Sequence, residues 1–130
     1  MPSILLIEDD ELFRDALANA LTERGYTVRQ ARDGRQGMEV FRVAPTDLVL
    51  TDIVMPDKDG TTVITELRRD HPGLGIIAMS GGLAHDPELY LRIADAFGAD
   101  VTLKKPFSLP TLLAAIKEVL AATGTSDPAP

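Results

Sequence analysis

Ser3-Ile4-Leu5-Leu6-Ile7-Glu8-Asp9-Asp10 decides the fold: an apolar run too short for a buried helix ends abruptly in three acids, and a different periodicity begins. From Glu11 to Arg24 the apolar residues Phe13, Ala16, Leu17, Ala20 and Leu21 recur at helical spacing, and Gly25 supplies the stop. A strand buried on both faces followed by an amphipathic helix is one βα unit, and strands of this kind belong to parallel sheets covered by helices.

The same unit recurs along the chain. Further strands are expected at Thr27-Ala31, Asp47-Thr51, Gly75-Met79 and Val101-Leu103. A second helix is expected from Asp33, with Gln36 three residues on reaching back in a capping box, through Met38 and Phe41 to the breaker Pro45. A third runs from about Gly60 to Asp70 before His71-Pro72-Gly73. A fourth, from about Pro87 to Phe97, carries Leu89, Ile93 and Phe97 on one stripe. The last is the clearest: Leu109, Leu112, Leu113, Ile116, Val119 and Leu120 line one face, with Ser108 placed to cap and Pro110 in the first turn. Residues 1–122 thus form one α/β domain of five βα units, a doubly wound sheet whose ligand site lies beyond the carboxyl ends of the strands. The tail over 123–130 has nothing apolar to bury and is expected to be disordered.

Composition narrows the function. The 130 residues hold 13 Lys+Arg against 20 Asp+Glu, a net charge of -7 that argues against direct binding to nucleic acid or anionic membranes. Cysteine is absent, which excludes disulfides and thiolate metal sites and suits a cytoplasmic location. Met1-Pro2-Ser3 lacks the basic start of a signal peptide, and no apolar run approaches the roughly 20 residues of a membrane span.

The strand ends carry the chemistry. Glu8, Asp9 and Asp10 follow the first strand, Asp52 ends the third, Ser80 the fourth, and Lys104-Lys105-Pro106 the fifth. Taken singly, each has an ordinary explanation: the acids as a helix cap, Asp52 as a turn residue, Ser80 before Gly81-Gly82 as loop chemistry, Lys105 as a solvated face. Together, four strand ends deliver acid, acid, hydroxyl and ammonium to one place. Clustered carboxylates require a neutralising cation, and a hard divalent ion, Mg²⁺, suits so few oxygen ligands because it keeps waters and leaves room for a phosphoryl oxygen. The hydroxyl and ammonium would then stabilise that phosphoryl group. Asp10 is left as the helix cap. His71 and His85 lack a second ligand at useful spacing and are read as surface residues.

These motifs, namely Ile4-Leu5-Leu6-Ile7-Glu8-Asp9-Asp10-Glu11, Asp47 to Pro56 with Asp59-Gly60, Ile76-Ile77-Ala78-Met79-Ser80, Gly98-Ala99-Asp100 and Lys105-Pro106-Phe107, resemble the receiver domain of two-component response regulators over about Ser3 to Leu120. The resemblance is to the single-domain, chemotaxis-regulator-like kind. It implies a flavodoxin-like (βα)5 fold with strand order 2-1-3-4-5. It also implies Asp52 as phosphoryl acceptor, Asp9 as a direct Mg²⁺ ligand, Glu8 holding a water on the ion, and the Val54 backbone carbonyl completing the protein ligands. Ser80 corresponds to the hydroxyl that binds the phosphoryl group, Lys105 rather than Lys104 to the lysine, and the Lys105-Pro106 bond is expected to be cis. A stand-alone regulator is expected, one that takes its phosphoryl group from a histidine kinase or histidine phosphotransfer protein. It would signal to a downstream protein through the face of the fourth helix, fifth strand and fifth helix. Two departures bear on its behaviour. Thr102 stands where many receivers carry an aromatic residue, and Val54 and Gly82 stand where side chains would orient a hydrolytic water.

Other readings compete. An aspartate-nucleophile phosphohydrolase needs a second acid two residues after its nucleophile, where this chain has Val54. A flavin-binding loop would not carry Glu8-Asp9-Asp10 against a phosphate, and a calcium loop aligned on Gly60 would begin at Met55. A binding module without phosphorylation is the remaining alternative.

Overall fold

Alternation along each strand builds two cores, one on each face of a single sheet. The computed structural model describes residues 2–53, 60–81 and 87–124, with the side chains of 87, 88, 90 and 91 set aside. Strands β1 (Ser3–Ile7), β2 (Thr27–Ala31), β3 (Leu48–Asp52), β4 (Gly75–Ser80) and β5 (Val101–Lys104) are all parallel. Helices α1 (Glu11–Glu23), α2 (Gly34–Val43), α3 (Gly60–Asp70), α4 (Pro87–Phe97) and α5 (Leu109–Ala122) connect and follow them. The order across the sheet is β2-β1-β3-β4-β5, as the resemblance implied.

Ile4, Leu6, Leu48, Leu50, Ile77 and Met79 face Leu17 and Leu21 of α1 and Leu112, Ile116 and Leu120 of α5. Leu5, Ile7, Val49, Ile76 and Ala78 face Phe41 of α2, Val63, Ile64 and Leu67 of α3, and Ala94 of α4. Each buried Leu, Ile, Val, Phe or Met among them contributes roughly 1.5–3 kcal/mol, so the two layers hold the sheet from both sides.

The expected caps are present. Asp10 accepts from the Phe13 N–H at 3.2 Å, Asp33 from the Gln36 N–H at 2.7 Å, and Ser108 from the Thr111 N–H at 3.2 Å. Gln36 reaches back one residue further than a capping box requires, accepting from the Arg32 N–H at 2.7 Å. Of the expected tail, Thr123 closes α5 with its N–H on the Val119 carbonyl at 3.1 Å, and residues 125–130 lie outside the described residues. The stripe on α4 is a correction. Leu89 and Phe97 are about half exposed and Ile93 is partly buried, while among the described side chains of the helix Ala94 is the one fully buried in the core against the sheet. His71 is exposed and stacks edge-to-face on Phe41, with centroids 4.9 Å apart; His85 lies outside the described residues. No helix among the described residues is long and apolar enough to cross a membrane.

Candidate functional site

The chain steps from one side of β1 to the other between β2 and β3, so the ends of β1 and β3 lie side by side at the reversal, with Ile7 opposite Thr51. Glu8 prolongs β1 by one residue, donating its N–H to the Ala31 carbonyl at 3.0 Å, while Arg14 holds the Glu8 carbonyl at 2.9 Å. Its carboxylate accepts the Asp10 N–H at 3.1 Å. Glu8 and Asp52 are buried, at 1% and 6% exposure, and Asp9 is exposed. One oxygen from each of the three lies within 4.8 Å of the others.

Two glycines let the backbone close around this cluster. The Gly60 N–H bonds the Ile53 carbonyl at 2.8 Å, and a Cβ on Gly60 would stand 2.2 Å from the Asp52 carbonyl oxygen, so only glycine lets α3 start there. A Cβ on Gly81 would stand 2.5 Å from the Lys105 Cβ, where the end of β4 meets the segment after β5. There the Lys105 N–H bonds the Ser80 carbonyl at 2.7 Å, and the Lys105-Pro106 bond is cis.

From that point the Lys105 ammonium reaches back across the sheet. It contacts Glu8 Oε1 at 2.5 Å and Asp52 Oδ2 at 3.0 Å, and it lies over the Phe13 ring, 4.6 Å from the centroid. Lys104 is exposed at the end of β5. Ser80 is fully buried, and its Oγ finds no hydrogen-bond partner among the described residues. A buried hydroxyl without a partner is costly, and one at a strand end is able to donate to a bound acceptor oxygen.

Burial pushes the Glu8 carboxyl up to about 7, the Asp52 charge adds to the rise, and the Lys105 contact only partly offsets it. Lys105 shows a different balance. Burial alone would lower it, yet its hydrogen bonds to Glu8 and Asp52 and the charges of both carboxylates together outweigh burial and raise it. Among the described residues, three carboxylates meet at this point beside the Lys105 ammonium, with the Arg14 guanidinium on the Glu8 carbonyl, and an all-carboxylate oxygen set of this span fits a hard divalent cation. The Val54 carbonyl and Gly82 lie outside the described residues. Sequence reasoning did not find Phe13, Arg14 or Gly81 as parts of the site. Phe13 read only as helix core, and no local signal distinguishes a ring that also covers a lysine 92 positions away.

The model of the response regulator receiver domain matches residues 4–117. This chain belongs to that family. As a receiver domain it is 40% identical over 121 residues to the sensor kinase CckA of Brucella abortus, covering 91% of this chain and 12% of that protein. It is 35% identical over 118 residues to the response regulator RR06 of Streptococcus pneumoniae, covering 91% of this chain and 52% of that one. The receiver domain thus spans about half the length, or much less, of these curated relatives. Among solved structures, a CheY-like receiver domain protein from Methanospirillum hungatei superposes with a TM-score of 0.85 at 27% identity, covering 95% of this chain and 97% of that one.

Proposed function

We propose that this receiver domain accepts a phosphoryl group on Asp52 from the phosphohistidine of a histidine kinase or histidine phosphotransfer protein, with Mg²⁺ bound, and signals by altered partner binding. The observation that carries the reading is the Lys105 ammonium 3.0 Å from Asp52, inside a cluster of three carboxylates at the carboxyl ends of the central strands. An Asp52 oxygen attacks phosphorus, the P–O bond forms as the P–N bond to the donor imidazole breaks, and the imidazole leaves with the electron pair. Lys105 neutralises the charge on the transferred group, and Ser80, whose buried hydroxyl has no partner among the described residues, donates to one of its oxygens. Asp9, Asp52, Glu8 and the Val54 carbonyl would hold Mg²⁺, which when bound supplies positive charge to the phosphoryl oxygens.

The product is an aspartyl phosphate, and the domain acts as a self-catalysing acceptor rather than a turnover enzyme. Holding the new dianion draws the Ser80 and Lys105 segments toward Asp52, which shifts the face of α4, β5 and α5 where a downstream protein docks. With Val54 and Gly82 unable to orient a water, the phosphoryl group is expected to be long-lived, and rapid spontaneous decay of the phosphoprotein would count against this. The charge of -7 favours protein partners over nucleic acid, and the location proposed is the cytoplasm.

Intact mass after incubation with a small phosphodonor, with and without Mg²⁺, tests the reading. A Mg²⁺-dependent gain of one phosphoryl group that vanishes in Asp52→Ala is the expected result. No gain, or a gain that survives the substitution, leaves a binding module or a site centred elsewhere.

A further inference from the structure

Among the described residues, the lysine at the centre of the site is held from three directions, two of them carboxylates. Lys105 carries its charge on a flexible four-carbon stem, so its ammonium is positioned only as well as its surroundings fix it. Glu8 and Asp52 take two of its directions at 2.5 and 3.0 Å. The third is closed by the face of Phe13, 4.6 Å from ring centroid to Nζ, within the range where the ring quadrupole attracts a cation. Phe13 is itself fixed twice. Its backbone N–H is capped by Asp10 at 3.2 Å, and its ring meets Phe107 edge-to-face at 6.2 Å and 79°. Phe107 lies two residues beyond Lys105, so the segment that carries the lysine turns back and grips the ring that covers it. Phe13 and Phe107 are both partly buried against the α1–α5 core.

We infer that Phe13 is a positioning residue for phosphoryl transfer, holding the Lys105 ammonium at the Asp52 carboxylate through its ring face. This rests on the receiver reading above. The two carboxylates alone would not hold the lysine throughout the reaction. Once Glu8 and Asp52 turn to other partners, a lysine held only by them is free to swing, whereas the ring face stays in place. Asp10, third of the acids after β1, then serves the site indirectly by fixing the first turn of α1 from which Phe13 projects.

The test compares the wild type with Phe13→Leu and Phe13→Tyr, each also in a Lys105→Met background, using acetyl phosphate and Mg²⁺ and following the phosphorylated fraction by intact mass. Phe13→Leu is expected to slow phosphorylation about tenfold and Phe13→Tyr to restore it to near the wild-type rate. In the Lys105→Met background Phe13→Leu is expected to cost less than about twofold more, because the ring would then have no cation to hold. Equal losses in both backgrounds would make Phe13 merely structural, and a Phe13→Leu protein as fast as the wild type would overturn the inference outright. A second readout needs no phosphorylation: the ε-methylene protons of Lys105 should sit upfield in the NMR spectrum under the ring current and return to ordinary values in Phe13→Leu. Absence of that upfield shift in the wild type also overturns the inference. Failure of the wild type to take up a phosphoryl group would instead sink the receiver reading, with the NMR comparison still deciding whether Phe13 holds the lysine.

Discussion

The two ends of the sheet are both rich in charge and use it in opposite ways. At the amino-terminal end of β4 and β5, Arg68 of α3 is fully engaged. Its guanidinium bonds the Gly98 carbonyl twice, at 3.0 and 2.8 Å, and also the Pro72 carbonyl, the Leu74 carbonyl and Asp100 Oδ2. Asp100 in turn accepts the Ile76 N–H at 2.8 Å and donates its own N–H to the Ile76 carbonyl at 2.8 Å. At the carboxyl-terminal end, one ammonium serves clustered acids, Glu8 is pushed far above the usual carboxylate range, and the Ser80 hydroxyl is buried without a partner among the described residues. Polar groups around Arg68 at the first end are matched to one another and hold the fold; at the second, among the described residues, clustered acids share one ammonium and a buried hydroxyl has no partner.

Substitutions at each end should separate chemistry from stability. Lys105→Ala should slow phosphorylation on the order of a hundredfold, as loss of a preorganised charge at a reacting group does, while leaving the secondary structure seen by circular dichroism intact. Arg68→Ala should do the reverse. It strands several carbonyls and Asp100, and should lower unfolding free energy by about 2 kcal/mol in denaturant titrations with the phosphorylation rate unchanged. A loss of rate in Arg68→Ala at temperatures where it is folded would mean that the two ends are not separate in function.

A smaller effect sharpens the contrast. Glu8 binds its proton more tightly in the fold, at about 7, than an ordinary glutamate at 4.5. Its contribution to stability is therefore fully present below the lower value and is lost as pH rises through the upper one. Without divalent ions, the urea midpoint should fall between about pH 5 and about pH 8, and Glu8→Gln should flatten that slope. A slope unchanged in Glu8→Gln would assign the titration to another group. The smallest effect expected is none: Thr102→Tyr, on half-buried Thr102 in β5, should leave phosphorylation intact, and its loss would show that the site has been misplaced.

Most of the fold was legible because its signals are local. Every strand was found to within a residue, since runs such as Leu48 to Leu50 are continuous and bounded, and the caps Asp10, Asp33 and Ser108 announce their helices. That Asp52, Ser80 and Lys105 would meet at one edge was legible because parallel strands all end there, so position in sequence translates into position in space. What stayed hidden depends on register and on distance along the chain. The Arg68 clamp joins residues 30 and 32 positions apart, and nothing in Glu66-Leu67-Arg68-Arg69 says which arginine turns inward. On α4, spacing alone grouped Leu89, Ile93 and Phe97, but helical periodicity does not say which stripe meets the sheet, and among the described side chains the smaller Ala94 is the fully buried one.

The glycines that seat α3 and β4 against the site have a consequence for how this protein tolerates change. Gly60 and Gly81 bear no reactive atom, yet the space for even one methyl group at each is already filled by backbone or by the root of Lys105. In a saturation library selected for phosphoryl uptake, these two positions should therefore be as intolerant as Asp52, the acceptor proposed above, alanine included, so mutational sensitivity alone would overcount the chemistry of the site.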